Sequence, residues 1–121
     1  MQDMTETATL LEPGFSVADA GYPSFTLNSG ILLLEFIDWQ ARSVRVRFLN
    51  AAGVKWQELD SRGPEKRDDG VYEIDASSWI EEYLSSYART PDDHLRHFRL
   101  CFNASGVLDI LAESMTLEDA G

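Results

Sequence analysis

The sequence predicts an α+β domain: an antiparallel sheet of about five to six strands with one main helix, about residues 76–88, packed on one face. Three observations predict it. Val44, Val46 and Phe48 alternate with Arg45 and Arg47, the period of a half-buried strand. Ile80, Tyr83, Leu84 and Tyr87 recur at helical spacing and make one apolar stripe. Short apolar runs separated by Gly, Pro, Asn and Asp recur along the remainder. A chain of 121 residues, 44% hydrophobic, suits a single domain with a core of its own.

Residues 1–9 are polar and aperiodic and are read as a flexible N-terminal tail, leaving 10–121 as the domain. Between 10 and 30, Pro13, Gly14, Gly21, Pro23 and Gly30 forbid a long helix and leave room for one short strand near Ser24–Leu27. Ile31–Asp38 is an apolar run of strand length. Ser43–Asn50 is the alternating strand, and Trp39–Arg42 between the two suits a hairpin connection. Val54, Trp56 and Leu59 continue as a third strand after a turn at Ala51–Gly53. Ser61–Gly70 combines a proline and two glycines with six charges and reads as a solvated loop.

Val71–Asp75 reads as a strand, with Val71 and Glu73 on the face opposite Tyr72 and Ile74. Asp75, Ser77 and Ser78 then offer helix-capping side chains, Glu81 and Glu82 favour the positive helix start, and Thr90–Pro91 ends the helix. Trp79 leans toward the apolar stripe, so Trp56 and Trp79 are expected to face the core. Arg96–Asn103 is a strand presenting Phe98, Leu100 and Phe102 on one face and His97, Arg99 and Cys101 on the other. Val107–Leu117 fits either a helical face or a strand; the short Gly-containing turn before it favours a hairpin.

Ten Lys and Arg against 21 Asp and Glu give a formal charge of −11. Such a balance argues against sequence-independent nucleic-acid binding and against an anionic membrane surface, both of which need basic residues. The absence of a long apolar run, of a secretory start and of a second cysteine points to the cytoplasm as the simplest setting. His94 and His97 lack the CxxC or HExxH frame of a zinc site, and an extended chain holds His97 and Cys101 about 13 Å apart. Cys101, between Leu100 and Phe102, reads as a small buried hydrophobe. No phosphate-cradling glycine motif occurs, so no cofactor and no enzymatic activity are expected.

The candidate binding residues are therefore electrostatic and aromatic. Asp68, Asp69, Asp92 and Asp93 form acidic pairs in loops, and Trp39 lies in a turn beside Asp38 and Arg42, where it either has the character of an interface anchor or folds back over a sheet edge. Arg42, Arg45 and Arg47 form a basic stripe that suits a carboxylate or phosphate, unless cross-strand neighbours such as Glu35, Glu58 or Glu73 neutralise it.

The segments SVRVRFLNAAGVKWQE, VYEIDASSWI and HFRLCFNASGVLDILAES, about half the chain, resemble a small bacterial α+β family of uncharacterised proteins. In size, charge and architecture the chain also resembles the acidic single-domain immunity proteins of bacterial toxin systems. That resemblance implies a non-enzymatic inhibitor of a basic toxin or nuclease and brings no catalytic residue. The alternatives are a self-associating module joined through an exposed sheet edge, including a homodimer, and a small anionic-ligand binder using the Arg42, Arg45 and Arg47 face.

Overall fold

The computed structural model describes residues 6–58, 69–86 and 94–119. They form nine strands and one helix: β1 (Thr7–Leu10), β2 (Ser24–Asn28), β3 (Ile31–Ile37), β4 (Ser43–Leu49), β5 (Gly53–Glu58), β6 (Val71–Asp75), α1 (Ser78–Ser86), β7 (Arg96–Phe102), β8 (Gly106–Ala112) and β9 (Ser114–Asp119). The strands make two antiparallel sheets, ordered β1-β6-β7-β8-β5 and β2-β3-β4-β9. The α+β reading with a helix-covered single sheet is thus corrected: the fold is mostly β, and sheet packs on sheet.

The reason lies in the area to be covered. Leu32, Leu34 and Phe36 from β3 and Val44, Val46 and Phe48 from β4 present one continuous apolar face, every member buried. A helix of nine residues is only about 14 Å long. The cover comes instead from Val71, Phe98, Leu100, Phe102, Leu108, Ile110 and Ala112 of the other sheet, which share one core with the first set. Phe102 meets Phe36 edge-on at 5.1 Å between ring centres, and Phe98 meets Phe48 at 5.8 Å. These rings join the sheets directly.

The chain passes between the sheets three times, once through residues 11–23 from β1 to β2 and twice at tight corners. Asn50, at φ 52°, turns β4 away toward β5, and Ala52 N–H then donates to the Leu111 carbonyl of β8. Glu113 alone separates β8 from β9, so the segment 107–117 is neither a helix nor one strand but two strands in different sheets. Likewise β5, expected to extend the β3–β4 hairpin, pairs with β8 in the other sheet. Gly106 opens β8 where a Cβ would lie 2.4 Å from the Gln57 carbonyl oxygen, an approach only glycine permits.

The β3–β4 hairpin falls where the sequence placed it, and the strand near Ser24–Leu27 is β2. Residues 7–9, assigned to the tail, pair together with Leu10 against β6 as β1. They are mostly exposed, with only Ala8 packed against an apolar cluster, so the strand carries no hydrophobic alternation to read. The helix begins at Ser78, and residues 87 and 88 of the expected span lie outside the described residues. It covers part of the outer face of the five-stranded sheet, and none of its residues is fully buried. Trp79 lies on this outer face, edge-on to His97 at 5.4 Å, and not in the core between the sheets. Trp56 does pack against that core, near Phe102.

Candidate functional site

Trp39 sits at the tip of the β3–β4 hairpin and is 60% exposed. The turn is fixed from below by Asp38. Its buried carboxylate accepts hydrogen bonds from the backbone N–H of Gln40 at 3.0 Å, the backbone N–H of Arg42 at 2.8 Å and Arg42 Nε at 3.0 Å. Burial pushes the Asp38 carboxyl up, but these donors and the Arg42 charge outweigh it and hold it below the usual carboxylate range. Ala41 takes the positive φ of 62° that closes the turn. Ile37, also exposed, precedes it. An indole on a hairpin pinned by five backbone and side-chain bonds, counting Ala41 N–H to the Asp38 carbonyl and Asp38 N–H to the Arg42 carbonyl, is a preorganised apolar anchor.

The arginine stripe is neutralised by its neighbours. Arg45 lies directly opposite Glu35 across the β3–β4 pair, with Nε 3.2 Å from the carboxylate. The contact is off line for a hydrogen bond, so it is an ion pair by distance and charge. Arg47 Nε is 3.3 Å from Glu118, and Arg42 is held by Asp38. On the other sheet, Arg96 binds Glu73 through two hydrogen bonds and Arg99 binds Asp109 at 2.7 Å. Lys55 lies 4.3 Å above the Trp79 ring. Every arginine among the described residues therefore has a carboxylate partner.

The acidic candidates divide. Asp69 lines a shallow hollow of about 420 Å³ together with Arg42, Glu12 and Phe15. Asp68, Asp92 and Asp93 lie outside the described residues. A second hollow, about 350 Å³, opens between α1 and the β6–β7 strands; Asp75 and Glu81 line it, with Ser77 and His97 at its inner wall. His94 is exposed and does not join His97, which is buried. Cys101 is buried near Tyr72, Ile74 and Val107, as expected of a small hydrophobe.

The structure also connects residues that sequence reading left apart. Ser77 Oγ is 2.7 Å from His97 Nδ1, His97 Nε2 is 2.6 Å from Asp109, and Arg99 Nε donates to the same Asp109 oxygen. All of Ser77, His97 and Asp109 are buried. Burial alone would raise the Asp109 carboxyl; the His97 hydrogen bond and the Arg99 charge and hydrogen bond overcome it and hold the group below its ordinary range. An ionised Asp109 only accepts, so His97 donates from Nε2, and in the neutral ring Nδ1 accepts from the Ser77 hydroxyl. The signal for the pair was present: Asp109 is the one charged residue in the run 106–112, and a three-residue turn after Phe102 sets it opposite Arg99.

Hydroxyl, imidazole and carboxylate in a chain have the composition of a nucleophilic site. Their surroundings also tie them into the helix start. Ser77 Oγ accepts the Ile80 N–H as helix cap. The Ser78 N–H, next in the chain and the natural donor to an oxyanion, is taken by Glu6 at 2.8 Å, as is the Ser78 hydroxyl. A carboxylate there repels the negative charge a tetrahedral intermediate would develop. The chain thus fastens the start of α1, and Glu6 just before β1, to the five-stranded sheet.

Among the described residues no helix is long and apolar enough to cross a membrane. No protein-family model, curated protein or solved structure matches the chain.

Proposed function

We propose that the protein is a non-enzymatic, acidic binding protein whose negative surface draws in a basic protein partner. An immunity-type inhibitor of a basic toxin or nuclease is its concrete form. One observation carries the reading: the described arginines are each spent on a carboxylate, while among the described residues Glu12, Glu58, Asp75, Glu81, Glu82 and Glu113 stand exposed with no described cation paired to them. Among the described residues the acidic excess is therefore presented to solvent, in a chain whose formal charge is −11. Such a field raises the encounter rate with an oppositely charged partner by roughly 10- to 1,000-fold at low salt. The Trp39 hairpin supplies the apolar anchor that charge alone lacks. The same pairing weighs against the Arg42, Arg45 and Arg47 face as an anion site, because an incoming anion would have to displace Asp38, Glu35 and Glu118.

The expected result for Trp39→Ala separates binding from folding. The side chain is exposed at a turn, so thermal melts should shift by no more than about 0.5 kcal/mol of stability. Affinity for the basic partner, read by titration calorimetry, should fall by about 2 kcal/mol, roughly 30-fold. Unchanged affinity would remove Trp39 from the interface.

A further inference from the structure

We propose that β2 is a self-pairing edge: two copies of the chain join antiparallel through β2, about a two-fold axis at Thr26, into one continuous sheet of twice four strands. β2 ends the sheet β2-β3-β4-β9 and has no described strand on its other side. All five of its residues are exposed, among them Phe25 at 40% and Leu27 at 58%. Exposed edges invite pairing unless charge, shortness or irregularity blunts them. The other edges are so blunted. β1 has four residues with Glu6 before it and Glu12 after; β5 carries Lys55 and Glu58; β9 carries Glu118 and meets β4 through a register shift. β2, Ser-Phe-Thr-Leu-Asn, carries no charge.

The sequence of β2 selects a second copy as the occupant. Antiparallel pairing about Thr26 sets Phe25 opposite Leu27 of the second copy, Leu27 opposite its Phe25, and Ser24 opposite its Asn28. Phe25 and Leu27 register with Leu34 and Leu32, so they sit on the core side of the sheet, beyond the cover that buries those two. Pairing two copies aligns these overhanging side chains into one apolar row. A foreign basic strand would find no charge on this edge to match. Two molecules of charge −11 repel, and only an uncharged seam lets them meet. Salt must then favour the dimer, the opposite of its effect on a basic partner, so this proposal and the proposed function fail separately.

The test is sedimentation velocity of the full chain between about 0.1 M and about 1 M salt, where the Debye length drops from about 10 Å to about 3 Å. The mass should rise with concentration toward twice 13.6 kDa, and at lower concentration in the higher salt. Leu27→Lys should restore the monomer mass even though it lowers the net negative charge. Register is read by cysteine cross-linking. Thr26→Cys should give a disulfide-linked dimer under mild oxidation, because directly opposed Cα atoms lie about 4.5–5.5 Å apart. Asn28→Cys should not, because its counterpart would be about 13 Å distant along the strand. A wild-type chain that stays monomeric at the higher salt, or Asn28→Cys linking as readily as Thr26→Cys, overturns the proposal.

Discussion

Asp109→Ala should cost about 3–5 kcal/mol of folding stability, the loss expected when one partner of a buried ion pair is removed. The carboxylate answers two donors at once, His97 at 2.6 Å and Arg99 at 2.7 Å. Its deletion removes the Asp109 carboxylate from the Arg99 guanidinium, only 12% exposed, and removes the acceptor of His97 Nε2. Against a total of about 5–15 kcal/mol, that is a large fraction. The midpoint of thermal unfolding should drop by roughly 10–20 °C. pH supplies an independent readout. Asp109 is held below its ordinary value, so its contribution is present above the unfolded pKa of about 3.9 and fades as pH falls through the lower folded value. The wild type should therefore lose stability steeply below about pH 4, and Asp109→Asn should show a flatter acid limb. An Asp109→Ala variant within about 1 kcal/mol of wild type would show that the buried chain does not fasten α1.

Phe102→Ala should cost a further large amount, about 3–5 kcal/mol. Phe102 is buried at the centre of the contact between sheets, edge-on to Phe36 of β3 and within 6.2 Å of Trp56 of β5. This variant tests the architecture as well as the packing. In a sandwich, Phe36→Ala and Phe102→Ala remove the same contact, and a double-mutant cycle should return a coupling of about 0.5–1.5 kcal/mol. In a single sheet covered by a helix, β3 and β7 would have no such contact across two layers. Additive losses from the two variants would count against the two-sheet core.

Much of the local structure is legible in the residues. The Val-Arg-Val-Arg-Phe alternation gives β4 and its buried face, the run from Ile31 gives β3, and the Trp39–Arg42 turn gives their hairpin. Of Glu35, Glu58 and Glu73, the neighbours named for the arginine stripe, Glu35 faces Arg45 because the hairpin register puts the two opposite, whereas Glu73 pairs with Arg96, and Asp38 and Glu118 hold Arg42 and Arg47. The number of sheets is not legible, because the strands change sheet at Asn50–Ala52 and at Glu113, where one or a few residues separate strands of identical character. β8 is buried at all seven positions, so it lacks the alternation that would tell one covered face from two. The Ser77–His97–Asp109 chain spans separations of 20 and 12 residues and exists only once α1 sits over β7. The turn position of Trp39 is legible, but the residues leave open whether the indole stands free or folds back over a sheet edge, and the fold leaves it exposed. The acidic loops are a different matter: Asp69 lies in a hollow with Arg42, while Asp68, Asp92 and Asp93 fall outside the described residues.

The most direct measurement of the central idea, a negative surface with an aromatic anchor offered to a basic protein, is affinity capture from lysate of the native host. The full chain and its Trp39→Ala variant would be immobilised side by side, with washes at about 0.1 M and about 1 M salt. The account predicts a basic protein retained by the wild type at the lower salt, released at the higher, and retained far more weakly by the variant. Retention that ignores both salt and Trp39, or repeated recovery of the bait alone, would contradict it.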